Sequence, residues 1–117
     1  MLIAGQWVEA QSNKRYHRFS PAHDVKVGTY PEAGAEDVDA AVAAAKAAFE
    51  DASWRLMKGS DRAKLLHRVS EIIREDADDL AYIEVLESGK PISQAKGEMT
   101  GTAELWEYAA TLARHTY

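Results

Sequence analysis

Cysteine is absent from all 117 residues. That absence excludes a disulfide framework, a thiolate nucleophile and any cysteine-ligated zinc or iron–sulfur centre. Proline and glycine are also scarce, three and seven in number, which is too few for a flexible linker or a fibrous repeat. No stretch approaches the roughly 18 consecutive apolar residues of a membrane helix. Gln6 and Glu9 interrupt the apolar start before a signal-peptide core of ordinary length could form. The single asparagine, Asn13, precedes Lys14 and Arg15, so there is no glycosylation sequon. Excess positive charge is missing too. A net charge of −5 argues against nucleic acid or an anionic membrane surface as a partner. The expectation is a protein of the cytoplasm that touches neither.

What remains has the size and composition of one globular domain, with 46% hydrophobic and 28% charged residues. The chain divides near residue 34. Residues 1–34 carry four basic side chains (Lys14, Arg15, Arg18, Lys26) against three acidic ones (Glu9, Asp24, Glu32), for +1, so the remainder carries −6. The first part is punctuated by turn and strand signals. Leu2-Ile3-Ala4, Gly5-Gln6 and Trp7-Val8-Glu9 read as a tight hairpin turning at the glycine. Residues 16–19 and 24–30 offer two further short strands, with Gly28 marking a bulge or edge position.

From Ala35 onward the reading is helical. Residues 33–52 hold ten alanines in twenty positions, and alanine is the strongest helix former. Val38, Val42, Ala45 and Phe49 fall at spacings of four, three and four, one narrow apolar stripe. A loop over 51–59 carries Trp54, and Ser60 is placed to cap the next helix. There Leu65, Leu66, Val69, Ile72 and Ile73 make a core-facing set. The acidic run Glu75 to Asp79 interrupts the pattern and can cap a new segment, which ends at Gly89 before Lys90-Pro91. A last helix from Pro91 toward His115 carries Leu105, Trp106, Ala109 and Leu112 at helical spacing.

Tested one at a time, the local motifs carry no chemistry. Gly89-Lys90 lacks the rest of a phosphate loop and reads as a helix cap with a solvated lysine. Gly97 and Gly101 form GxxxG in polar surroundings, which points to close packing against another backbone rather than to a membrane dimer. His17, His23, His67 and His115 show no metal-ligand spacing, and Asp78-Asp79 and Glu104/Glu107 read as solvated helix surface.

Taken in order, however, several segments resemble one family. Ile3-x-Gly5-x-Trp7-Val8, Ser20-Pro21-Ala22, Glu36-Asp37-Val38-Asp39, Ala41-Val42, Ala45-Lys46 with Ala48-Phe49, Trp54, Arg62 with Leu66, Leu86-Glu87-Ser88-Gly89-Lys90-Pro91 and Tyr108-Ala109 are similar, in sequence and spacing, to the N-terminal region of NAD(P)-dependent aldehyde dehydrogenases. Ser20 departs from the pattern, which has asparagine before the proline.

The resemblance implies an α+β arrangement. Short β-hairpins over 1–34 are followed by three to four helices over 35–117, together one incomplete part of the cofactor-binding domain of a larger α/β fold. It implies a parent oxidoreductase that converts a small aldehyde to a carboxylic acid with NAD or NADP and forms homo-oligomers. The family's thiol nucleophile and nucleotide-binding strands lie downstream of the matched region. This chain is therefore expected to be a non-catalytic fragment whose partner is the remainder of the parent. A standalone helical protein-interaction module derived from the same segment is the alternative.

By the same resemblance, Thr100, Ala103, Glu104 and Trp106 would border the substrate entrance, with core packing the plainer reading for Trp106. Backbone carbonyls of Arg18 and Phe19 with the Glu87 carboxylate would hold a monovalent cation, Na+ or K+, with a solvated helix-end acid the plainer reading for Glu87. The fragment reading further implies that the Val38/Phe49, Leu65/Ile72 and Leu105/Leu112 stripes stay partly uncovered.

Overall fold

The computed structural model describes residues 1–115. The turn that Gly5 announces lies at Ala4-Gly5, where both residues take positive φ, 50° and 76°, the pair of left-handed conformations that a type I′ hairpin requires. Strand β1 (Leu2–Ile3) therefore pairs antiparallel with β2 (Gln6–Trp7), Leu2 opposite Trp7 and Ile3 opposite Gln6. The turn falls one residue earlier than the sequence suggests, because Gln6 is needed for the ladder.

Strands β3 (Arg15–Phe19) and β4 (Lys26–Pro31) form a second antiparallel pair. Tyr16 faces Tyr30 across it, and their rings stack with centroids 5.6 Å apart. Arg18 pairs with Gly28 and Phe19 with Lys26, so Val27 is the extra residue of a bulge beside Gly28.

Helix α1 (Ala35–Glu50) starts at Gly34. Its third residue, Asp37, is 5% exposed. The Asp37 carboxylate accepts the backbone N–H of Gly34 at 2.9 Å and that of Gln11 at 3.1 Å. One buried carboxylate thus caps the helix and ties the preceding polar loop to it, where the helix dipole also favours negative charge. The stretch expected to be a loop around Trp54 instead holds a short helix, α2 (Ala52–Arg55). Asp51 nucleates it by accepting the Ser53 N–H at 2.7 Å.

Helix α3 (Gly59–Glu75) begins one residue before Ser60, so Ser60 does not cap it. The Lys58 carbonyl receives the Asp61 and Arg62 N–H groups at 2.9 and 3.1 Å, and Asp61 in the first turn pairs with Lys64 at 2.8 Å. Helix α4 (Ala77–Ser88) starts at Asp76 within the acidic run and stops at Gly89, whose φ is 77°. Helix α5 (Ile92–His115) follows Pro91. Five helices rather than three to four thus lie among the described residues. None is long and apolar enough to cross a membrane.

The strands end at Pro31 and the helices begin at Ala35, but the compact units divide differently. One comprises residues 1–19 and 25–56; the other comprises 20–24 and the chain from Met57 onward. In the second unit α3 packs against α5, and the residues that the two helices bury include small side chains: Ala63 and Ser70 on α3, Ala103 and Ala110 on α5. Ala81 of α4 and Ala95 of α5 are buried likewise. Small residues let helix axes approach closely, and the Ser70 hydroxyl donates to the Ala103 carbonyl at 2.9 Å across the seam.

Leu65 and Ile72, expected in the core, are exposed, while Leu66, Val69 and Ile73 are half-buried. The alanine and serine positions take the innermost line instead. Gly97 and Gly101 do not mediate close packing, since a side chain built on either meets nothing within 4 Å. The six stripe residues Val38, Phe49, Leu65, Ile72, Leu105 and Leu112 are all exposed, Phe49 to 76% and Leu105 to 65%.

Candidate functional site

Helix α5 carries the four residues of the expected entrance, and its geometry separates them. Thr100 and Glu104, one turn apart, are exposed. They sit beside Gly97 and Gly101, so this stretch of helix presents an open, small-residue surface. Ala103 lies at the edge of this surface, where it turns inward: it has no exposed surface, and its carbonyl receives the Ser70 hydroxyl. Trp106 is half-buried on the flank that also carries Ala95 and Ala110. The structure brings Thr100 and Glu104 together and places Ala103 in the seam.

The seam is held at its edge by a charged cluster. Arg74 of α3 donates to Glu107 of α5 at 3.0 Å, and the Ser70 hydroxyl reaches the same carboxylate oxygen at 3.2 Å. The Arg74 guanidinium holds the Glu107 carboxyl below its ordinary range, with Ser70 and His67 adding to the effect. Glu107 is therefore a seam residue rather than plain solvated surface. On the outer side of α3, Arg68 pairs with Glu71 at 3.0 Å and Glu75 at 3.1 Å.

A second cluster sits at the elbow between α4 and α5. The Lys90 ammonium lies 2.7 Å from Glu84 of α4 and 2.5 Å from Glu98 of α5, with its side chain 22% exposed. Lys90 is not the solvated lysine that its sequence neighbours suggest. Glu84 lies six residues before it and Glu98 eight after, so only antiparallel helices bring the three together; no local spacing rule reveals them. Hydrogen bonds to Glu84 and then Glu98 raise the Lys90 pKa, and Lys90 in turn lowers that of Glu98. Beside this cluster, Gly89 abuts the 20–24 loop: a side chain there would come within 3.1 Å of the Ala22 Cβ and 3.4 Å of the Pro21 Cγ. Ser20 in that loop is 3% exposed, and its hydroxyl has no hydrogen-bond partner among the described residues.

The residues expected to hold a cation are divided between the units. Arg18 and Phe19 end β3 in the first, whereas Glu87 is half-buried on α4 in the second. Their donor set, two carbonyls and a carboxylate, is of the kind a hard cation takes. No group of three or more histidine and acidic side chains suited to a metal occurs among the described residues. For a dinucleotide the residues present do not fit. Among the described residues the strands form two two-stranded antiparallel sheets, and no glycine-rich turn runs from a parallel strand into a helix, as a nucleotide cradle requires. A groove of about 450 Å³ within the first unit is lined by Trp7, Tyr16, Thr29 and Tyr30. The paired charges of Glu9 and Arg15 close its rim.

Comparison with known proteins fits the same frame. The pattern of the Aldehyde dehydrogenase family matches residues 7–117. Betaine aldehyde dehydrogenase of Bacillus subtilis is 33% identical over 113 residues, which cover 97% of this chain and 23% of the relative. Succinate-semialdehyde dehydrogenase [NADP(+)] of Escherichia coli is 34% identical over 116 residues, 99% of this chain and 24% of the relative. The crystal structure of an NAD-dependent aldehyde dehydrogenase from Sinorhizobium meliloti superposes with a TM-score of 0.95 at 47% identity, covering 99% of this chain and 23% of that one. The chain thus spans about a quarter of the length of the relatives it matches. The two hairpins and five helices of the described residues are a piece of that larger α/β fold, and the chain belongs to the aldehyde dehydrogenase family.

Proposed function

We propose that these residues serve as the first part of the cofactor-binding domain of an aldehyde dehydrogenase that oxidises a small aldehyde to a carboxylic acid with NAD or NADP. By themselves they do not catalyse the reaction. The observation that carries this reading is the pairing of a family match over nearly the whole chain with a complete lack of cysteine. Without a thiol the 117 residues cannot form the thiohemiacetal from which hydride leaves. Relatives named for NAD and for NADP(+) both resemble the chain, which supports a nicotinamide cofactor of either kind for the parent.

In that parent, Thr100 and Glu104 border the substrate entrance, with Trp106 shaping its flank and Ala103 fixing the helix. The Arg18 and Phe19 carbonyls with Glu87 hold Na+ or K+. The remainder of the enzyme is the partner that covers the exposed stripes, and the assembled enzyme is a cytoplasmic homo-oligomer. The purified 117-residue chain, given acetaldehyde or succinate semialdehyde with NAD+ or NADP+, is expected to produce no reduced nicotinamide. Steady formation of NADH or NADPH would overturn the non-catalytic reading.

A further inference from the structure

We propose that Lys90 is a positioning residue for α5: its ammonium, held between Glu84 of α4 and Glu98 of α5, fixes the angle of the α4–α5 elbow. It thereby sets the pose of the helix face that carries Thr100 and Glu104. The functional consequence rests on the reading of that face as a substrate entrance; the lock itself rests on geometry alone.

Three observations support it. First, the residues that these two helices bury fully are small: Ala81 on α4, and Ala95, Ala103 and Ala110 on α5, short side chains that fill space without interlocking. Second, of the ion pairs at this junction, Lys96–Asp78 has side chains 56% and 84% exposed, and pairs that open to water hold little. Lys90, at 22%, is the better shielded cation, and it engages both helices at once. Third, the elbow around it is tightly specified. Gly89 takes the left-handed conformation against Ala22 and Pro21. The Ser88 hydroxyl donates to the Glu84 carbonyl at 2.6 Å, and the Gln94 amide donates to Glu98 at 3.2 Å. Without the Lys90 charge, Glu84 and Glu98 would be two carboxylates that had shared one cation, repelling across the junction while the Gln94 amide still donates to Glu98.

The test measures the elbow directly. The chain has no cysteine, so spin labels on Tyr82→Cys and Tyr108→Cys, both exposed and on α4 and α5, report a single interhelical distance by electron paramagnetic resonance. A narrow distribution is expected in the labelled parent. Lys90→Met is expected to displace or widen it by more than about 2 Å, and Lys90→Arg, which keeps the charge and the reach to both carboxylates, to restore it. A Lys90→Met distribution superimposable on the parent overturns the proposal, as does a Lys90→Arg variant equally disturbed. Should Lys90→Met lose its helical circular dichroism, Glu98→Gln replaces it and must widen the distribution for the proposal to stand. The distances involve no aldehyde, so an unmoved elbow removes the lock and leaves the entrance reading intact. Failure of the entrance reading likewise leaves the lock.

Discussion

Replacing Gly89 by alanine tests whether the α4 terminus is set by backbone conformation and close approach together. The residue sits at φ 77°, where a Cβ costs roughly 1–2 kcal/mol. That Cβ would also lie 3.1 Å from the Ala22 Cβ and 3.4 Å from the Pro21 Cγ, too close for undisturbed packing, and relieving such a contact costs about 1 kcal/mol or more. The sum is on the order of 2–3 kcal/mol, or a fall in Tm of roughly 10 °C for a chain of this size.

Two other glycines separate the contributions. Gly5 shares the left-handed geometry, with φ 76°, but has nothing within 4 Å, so Gly5→Ala is expected to cost only the backbone share, about 1 kcal/mol. Gly97 lies inside α5 with open space around it; Gly97→Ala is expected to stabilise by up to about 1 kcal/mol, because alanine is the better helix former. Thermal melts followed by circular dichroism should therefore rank Gly97→Ala above the parent, Gly5→Ala below it and Gly89→Ala lowest. A Gly89→Ala chain as stable as the parent would show that neither the left-handed backbone nor the approach to Ala22 sets the α4 terminus.

Ser70→Ala removes the buried hydroxyl that reaches Ala103 and Glu107 and is expected to cost about 1 kcal/mol, read as a shifted urea midpoint. In acid the paired carboxylates lose their contribution. Glu98 and Glu107 have folded pKa values below the ordinary 4.5. Their stabilisation is complete above that value and disappears as pH falls through the depressed folded values. A melt series below pH 5 should show a fall in Tm that the Glu98→Gln/Glu107→Gln double variant flattens. Exposed Phe49, Leu105 and Leu112 should bind a hydrophobic dye and promote self-association. Charged replacements at these three positions are expected to lower both dye binding and sedimentation coefficient, and unchanged values would show that those side chains are not the adhesive surface.

Much of the fold was legible because its signals are local. The alanine-rich run of α1, the acidic run from Glu75 to Asp79 and the Gly89-Lys90-Pro91 stop each act within a turn of where they stand, and the helices begin and end close to them. Ser60 misled, because a cap-forming side chain is only an option, and the Lys58 carbonyl took the role first.

The core was harder to read. Apolar periodicity finds large side chains, yet the buried positions of α3 and α5 include Ala63, Ser70, Ala103 and Ala110, while Leu65 and Ile72 remain exposed. A stripe marks a face that calls for cover without saying what covers it. The candidate site divides in the same way. Helical spacing sets Thr100 beside both Glu104 and Ala103, and only the packing of α5 shows that Ala103 is buried while the other two are exposed. The Lys90–Glu84–Glu98 and Arg74–Glu107 clusters join residues from different helices, and no spacing in the sequence foretells them.

The central claim is that these residues do within an aldehyde dehydrogenase what the matching quarter of its relatives does. The most direct measurement replaces the corresponding segment of the Sinorhizobium meliloti enzyme, 47% identical here, with this chain and assays NAD-dependent aldehyde oxidation. Retained turnover with a shifted aldehyde preference, moved again by Glu104→Ala, is the predicted result. A folded chimera with no aldehyde oxidation would contradict the account.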